Sequence, residues 1–131
     1  MRRQKEFRRR LLGAALLAAA LGSVACERKD DAPAQVVAQG HPDRGPDAIN
    51  RYGCGTCHNI PGVRGANGLA APPLTSFSKR AFIAGEVPNN PENLITWITV
   101  PQSIEPGTAM PNLGVLDEDA RDIAAYLYTL K

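Results

Sequence analysis

The sequence Cys-Gly-Thr-Cys-His at residues 54–58 constrains this chain more than any other feature. Two thiols three positions apart, followed at once by an imidazole, form the CxxCH pattern to which a c-type haem is attached. Cys54 and Cys57 can each bond covalently to a vinyl group of the macrocycle, and His58 is then placed to reach the iron. We therefore expect the chain to fold around a large, rigid and covalently held group.

Two other kinds of site use a CxxC pair, namely dithiol redox centres and structural zinc sites. A closed zinc site needs four ligands, and apart from the initiator the sequence offers only His41, Cys26 and Met110 as further soft ligands. A thioredoxin-like centre would lie in a strand–helix–strand unit, whereas this motif lies between a short predicted helix and a loop rich in Gly, Pro and Asn. Haem attachment therefore explains the motif best.

Residues 1–25 have the pattern of a bacterial export signal. Six basic side chains lie in residues 1–10, an apolar run follows at 11–21, and small residues precede a cleavage site after Ala25. The apolar run reaches about 15 residues, short of the roughly 20 that a transmembrane helix needs. We expect a periplasmic protein, because haem is attached to c-type chains after export.

Cys26 directly follows this cleavage site and resembles the lipidated cysteine of bacterial lipoproteins. Ser23 stands where the lipoprotein pattern usually has leucine, so a freely soluble protein and an uncleaved anchor are open alternatives. A lone thiol would be a liability in an oxidising compartment, which favours lipidation and a membrane anchor. Residues 26–42 lack a helical or strand period and are expected to form a flexible tether, with His41 as a solvated loop residue.

The net charge of +2 includes the signal, which carries six basic residues and one acidic residue. Residues 26–131 carry nine basic and twelve acidic residues, a net charge of −3. An acidic mature protein is a poor partner for nucleic acid, so none is expected.

The remaining residues, 43–131, form one predicted domain, which is short for a core made of side chains alone. Its pattern predicts an all-α fold without strands. The predicted helices span residues 43–52, capped by Asp43 with Pro46 in the first turn, 91–99, stopped by Pro101, and 117–130, with a buried face of Ala120, Ile123, Ala124, Leu127 and Leu130.

Met110 is the only methionine beyond the initiator. It lies in Pro-Gly-Thr-Ala-Met-Pro, a loop between the second and third predicted helices where no apolar period requires it. A lone methionine is usually core filler, but here it is the candidate for the iron ligand opposite His58.

Four motifs in order resemble those of a class I monohaem cytochrome c, over residues 45–130. They are Cys-Gly-Thr-Cys-His at 54–58, Ala-Pro-Pro-Leu at 71–74, Pro-Gly-Thr-Ala-Met-Pro at 106–111 and Asp-Ile-Ala-Ala-Tyr-Leu at 122–127. The resemblance implies a small cytochrome c fold, with three main helices and long loops wrapped around one covalently attached haem c. It also implies that the first and last helices cross near Gly45 and Tyr126. Ala71 departs from the family, which often has glycine there.

The resemblance assigns roles to further residues around the haem. Pro72 would offer its carbonyl to the ring N–H of His58, while Thr108 and Arg80 are candidates for hydrogen bonds to the haem propionates. A solvated arginine would look no different from Arg80 in the sequence. Trp97 is placed where the family commonly has an aromatic residue against the haem, and simple core packing explains it equally well.

These features predict an electron carrier and not an enzyme, with no small-molecule substrate. The expected partners are redox proteins, either a terminal haem–copper oxidase or a periplasmic dehydrogenase, docking on an apolar surface formed by residues 60–63 with Ala109, Pro111 and Leu113. A subunit permanently docked in a larger complex is a second possibility. A peroxidase or gas sensor is a third, and would require an open iron position in place of a Met110 bond.

Overall fold

The computed structural model describes residues 35–131, and helices are the main regular structure there. Helix α1 spans Gly45–Arg51, α2 spans Pro91–Thr99 and α3 spans Asp117–Leu127. Single turns of 3₁₀ helix lie at Cys54–Thr56, Phe77–Lys79 and Pro101–Ser103. The prediction of three helices is confirmed.

The prediction that the domain has no strand is wrong. Strand β1, Phe82–Ile83, pairs antiparallel with β2, Val87–Pro88, across a turn at Ala84 and Gly85. Both turn residues have positive φ, 55° and 83°. Each strand has only two residues, too few for the alternation of apolar and polar side chains by which a strand is found in a sequence.

The helix ends differ from the predicted ones in two places. Helix α1 begins at Gly45. Its N-cap residue is Arg44 and not the predicted Asp43, and no side chain caps it. Helix α3 ends at Leu127, and Leu130 lies beyond it in a turn. Helix α2 has the predicted bounds, and the side chain of Asn90 caps it by accepting a hydrogen bond from the N–H of Asn93 at 2.9 Å.

Helices α1 and α3 cross at Gly45 and Tyr126, as the resemblance to class I cytochromes c implied. A Cβ atom on Gly45 would overlap the Cβ of Tyr126 and would lie 2.8 Å from the carbonyl oxygen of Asp122. Only glycine allows the two backbones to approach this closely. The core around the crossing is built from all three helices and the chain between them: Ala48, Ile49, Phe77, Ile83, Leu94, Ile98, Ala120, Ile123, Ala124, Leu127 and Tyr128.

The end of the predicted tether packs against α3. Val37 is buried, and Gly40 lies so close to Arg121 and Ala125 that it has no room for a side chain. The N–H of His41 donates to the buried carboxylate of Asp122 at 2.7 Å, while the imidazole is exposed. Packing of the domain therefore begins at Val37, ahead of the predicted boundary at residue 43.

The described residues do not include the predicted export signal at 1–25, the predicted lipidation site Cys26 or the tether up to residue 34. Within residues 35–131 no helix has both the length and the apolar character needed to cross a bilayer.

A polar cluster fixes the start of α3 to the end of α1. The carboxylate of Asp119 accepts hydrogen bonds from the Tyr52 hydroxyl at 2.7 Å and from the Arg51 guanidinium at 2.8 Å. The Tyr52 oxygen also accepts from the N–H of Leu116 at 3.3 Å, just ahead of the helix. The hydrogen bond from Tyr52 foremost, and then that from Arg51, hold the pKa of Asp119 below its usual value.

We predict that Gly45→Ala destabilises the protein because the added methyl group forces α1 and α3 apart. The expected loss is about 1–3 kcal/mol in the free energy of unfolding, typical of overpacking. Denaturant unfolding measures it. Asn50→Ala, at an exposed position of α1, is the matched control and should leave stability unchanged or slightly raised. Equal stability of the two variants would contradict a close crossing at Gly45.

We predict that Asp119 stabilises the fold above its unfolded pKa of about 4 and that this contribution disappears as the pH falls through its lower folded pKa. Asp119→Asn should therefore cost about 1 kcal/mol at pH 7, and the difference from wild type should shrink below pH ~4. Urea unfolding at several pH values measures both quantities. Glu118→Gln, in the same helical turn but exposed, is the control. A loss for Asp119→Asn that stays constant from pH 7 to pH 3 would refute the assignment.

Candidate haem-attachment site

The CxxCH motif lies on a tight turn directly after α1. Gly53 has a φ of +69°, which reverses the chain, and the 3₁₀ turn Cys54–Thr56 follows. The N–H groups of Thr56 and His58 close this turn on the carbonyls of Gly53 and Cys54, each at 3.0 Å. The two cysteines and the histidine are thereby held on one short, hydrogen-bonded stretch of backbone.

The thiols of Cys54 and Cys57 are both free, with no disulfide between them. Cys54 is half-buried and packs against the core, whereas Cys57 is exposed. Burial raises the pKa of the Cys54 thiol. A dithiol redox centre needs the opposite, an attacking cysteine with a lowered pKa, so the environment of Cys54 argues against that alternative.

The His58 ring is held by a backbone carbonyl. Its Nδ1 lies 2.7 Å from the carbonyl oxygen of Pro72, which is the contact that the resemblance implies. A carbonyl can only accept, so Nδ1 carries a proton, and in the neutral imidazole the lone pair is on Nε2. A metal-binding histidine is commonly oriented in this way by its second nitrogen.

The loop after the motif folds back onto it through backbone hydrogen bonds. The N–H of Gly68 donates to the carbonyl of Gly55 at 3.0 Å, and the N–H of Ala71 donates to that of Cys57 at 3.0 Å. A Cβ on Gly55 would lie 2.6 Å from the Cα of Ala66, so side chains are excluded from this contact. Gly68 is as tightly placed, since its Cβ would lie 2.6 Å from the nitrogen of Cys57. Neither glycine was predicted from the sequence, where the only indication was the high glycine content of this loop.

Tyr126 connects this loop to α3. Its hydroxyl donates to the carbonyl oxygen of Pro61 at 2.6 Å, and Gly62, with a φ of +78°, packs directly on that hydroxyl. The helix that crosses α1 at Gly45 thus also fixes the chain a few residues beyond the CxxCH motif.

The loop that carries Met110 is held by its own polar side chains. The N–H of Met110 donates to the Thr108 hydroxyl at 3.1 Å, and the amide of Gln102 donates to the Met110 carbonyl oxygen at 2.9 Å. Met110 itself is half-buried. Thr108 therefore uses its oxygen to shape the loop and keeps its hydroxyl proton for another acceptor. Gln102 was not among the residues predicted from the sequence.

The two remaining predicted residues differ in what surrounds them. Trp97 is half-buried on α2 and packs against the core, which leaves both of its predicted roles open. Arg80 lies over the ring of Phe77, with 5.2 Å from its guanidinium carbon to the ring centre, and donates to the carbonyl oxygen of Pro73. Burial lowers the pKa of Arg80 from its usual value.

The predicted apolar docking surface needs correction. Ile60 and Val63 are only 2% and 6% exposed, because they belong to the core and cannot contact a partner. Leu69 is 90% exposed and Leu113 is 40% exposed. Phe82, Val100 and Leu116, which also flank α2, are 56%, 45% and 59% exposed, so Leu69 and Leu113 are two of several apolar side chains open to a partner.

Among residues 35–131, no three His, Cys, Asp or Glu side chains lie close enough together to hold a metal ion. Cys54 and Cys57 therefore lack, within the described chain, the further ligands that a closed zinc site requires.

In a comparison with known protein families, residues 43–131 match the cytochrome c family. The chain is similar to cytochrome c oxidase subunit 2 of Alkalihalophilus pseudofirmus, at 38% identity over 68% of this chain and 25% of the relative. The subunits 2 of Bacillus sp. PS3 and Bacillus subtilis are 37% and 31% identical, each over 65% of this chain and over 25% and 24% of their own lengths. The chain thus spans about a quarter of these relatives.

No solved structure matches the chain significantly. The family match extends over more than half of the chain and includes the CxxCH motif. The protein therefore belongs to the cytochrome c family, as an electron-transfer protein with haem c bound covalently at Cys54 and Cys57.

Proposed function

We propose that this protein carries single electrons between redox proteins, with His58 and Met110 as the two axial ligands of the haem iron. The observation that carries the proposal is the 2.7 Å contact from Nδ1 of His58 to the Pro72 carbonyl oxygen. It leaves Nε2 as the ring nitrogen available to the iron, four residues or fewer from both cysteines.

The residues present fit a haem with a His/Met pair. Cys54 and Cys57 are unpaired thiols on one turn, and Met110 supplies a thioether on a loop held at both its N–H and its carbonyl. When bound, the haem supplies the reversible one-electron chemistry of its iron, and a His/Met pair favours a higher reduction potential than harder ligands do.

The chain's own contribution is to fix the ligands in place. The Pro72 carbonyl sets the tautomer of His58 and makes its Nε2 more basic. Thr108 and Gln102 hold the backbone of Met110 and so reduce the number of positions open to its thioether. With both axial positions filled by side chains, no substrate could reach the iron, and a carrier is favoured over a peroxidase or gas sensor.

The proposed partner is a terminal haem–copper oxidase. Support comes from the similarity to three cytochrome c oxidase subunits 2, in each of which the matched part is about a quarter of the chain. The exposed Leu69 and Leu113 offer apolar contacts for docking. We further propose that the protein works in the periplasm, anchored by a lipid on Cys26. A haem subunit permanently bound to a periplasmic dehydrogenase is the alternative.

We predict a low-spin spectrum for the purified haem protein, with the ferric Met-to-iron charge-transfer band and no response of the reduced form to CO. Met110→Ala should remove the band, lower the reduction potential and open the reduced iron to CO, because alanine offers no ligand. Optical spectra of both redox states, with and without CO, measure this.

Leu113→Ala is the matched control, since it shortens an exposed apolar side chain beyond the same loop. It should keep the wild-type spectrum. A wild-type protein that is high-spin and binds CO would instead indicate an open-site enzyme or sensor.

We predict that a mobile carrier separates from its oxidase during washing at low and at high salt alike, because its contacts are transient and its apolar docking is not weakened by salt. The test purifies the oxidase from membranes at low and at high ionic strength and measures the haem c that remains. Retention of this protein in a fixed ratio at high salt would contradict a mobile carrier and indicate a permanent subunit.

A further inference from the structure

Two consecutive prolines form the backbone that faces His58. Neither Pro72 nor Pro73 has an N–H group, so this stretch cannot be held by hydrogen bonds that it donates itself. The flanking N–H groups are used, that of Ala71 on the Cys57 carbonyl at 3.0 Å and that of Leu74 on the Asn59 carbonyl at 2.8 Å. Between these two bonds, only donors to the proline carbonyls can fix the segment.

Arg80 provides such a donor. Its guanidinium donates to the carbonyl oxygen of Pro73 and stacks over Phe77. Among residues 35–131 no carboxylate lies within 4.0 Å of it, whereas Arg51 and Arg121 both pair with aspartates. A partly buried cation is thus directed at a backbone carbonyl and not at an acidic side chain.

The turn that carries Arg80 is itself held by Asn89. The side-chain amide of Asn89 donates to the carbonyls of Phe77 at 3.2 Å and Arg80 at 3.0 Å, and its oxygen accepts from the Tyr128 hydroxyl at 2.9 Å. Burial raises the pKa of Tyr128, which keeps that hydroxyl protonated as the donor. The base of the Arg80 side chain is therefore fixed to the residue that follows α3.

Fixing the Pro73 carbonyl constrains the Pro72 carbonyl as well. The peptide bond between the two prolines is planar, and the Pro73 ring locks its φ. The Pro72 carbonyl belongs to that planar peptide unit. The Pro73 carbonyl can therefore turn relative to it only by rotation about the ψ angle of Pro73. A donor on the Pro73 oxygen therefore limits movement of the Pro72 oxygen.

We propose that Arg80 is a positioning residue for His58, acting through Pro73 and Pro72 to keep the imidazole hydrogen-bonded and correctly oriented. This role rests on the proposed function, in which His58 ligates the iron. It differs from a hydrogen bond to a haem propionate, because it acts on the ligand through the protein backbone.

Exchange of the His58 Nδ1 proton with solvent tests the proposal in the intact haem protein. In the ferric state this proton should give a hyperfine-shifted NMR signal, whose exchange reports opening of the bond to Pro72. Arg80→Gln should make exchange at least about tenfold faster, equivalent to about 1.4 kcal/mol. Arg80→Lys keeps the charge but loses the planar fork, and we expect it also to speed exchange, by a smaller factor.

Arg64→Gln is the matched control, because it removes one positive charge from an exposed position on the loop that follows the motif. It should leave exchange unchanged. Unchanged exchange in both Arg80 variants would overturn the proposal even if the reduction potential shifted, since it would show that the guanidinium acts only as a charge or on a propionate. Absence of the shifted Nδ1 signal in the wild type would instead refute His58 ligation, and the positioning role with it.

Discussion

The close contact between Gly45 and Tyr126 is the interaction on which the rest of the domain depends. It allows α1 and α3 to cross with their backbones nearly touching, and it places the Tyr126 hydroxyl on the carbonyl of Pro61. Because the CxxCH turn follows α1 directly, the same crossing fixes both the start of that turn and the loop beyond it. One aromatic side chain thus relates the terminal helices to the haem-attachment motif.

Much of this architecture could be predicted from local patterns. The apolar face of α3, the proline that stops α2 and the loop around Met110 are each encoded within a dozen residues. The family resemblance added one relation between distant residues, the crossing at Gly45 and Tyr126, which no local pattern contains.

The features that were missed depend on contacts between distant parts of the chain. Gly68 is needed because the backbone of Cys57 lies directly against it. Val37 is buried in a core that later parts of the chain build, and nothing in residues 26–42 indicates that core. The hairpin at Phe82–Pro88 is too short for its pattern to be seen. For Gly68 and Val37, therefore, the signal lies in the distant residues that pack against them, and only the hairpin was missed because of its own shortness.

Polar side chains near the site mostly serve the backbone. Thr108, Gln102, Asn89 and Arg80 all bond to backbone groups in loops that have little regular secondary structure. Such loops satisfy few of their hydrogen bonds internally, so side chains must supply the remainder.

The contact of residues 37–41 with α3 has a mechanical consequence. The chain enters the domain along the outside of this helix, where Gly40 lies against Arg121 and Ala125 and the N–H of His41 is held by Asp122. A force applied to the chain ahead of Val37 would act first on these contacts with α3. It would act on α1 and the CxxCH turn only after the contacts had broken. Attachment at the N-terminal side can thus restrain the domain without straining the residues that hold the haem.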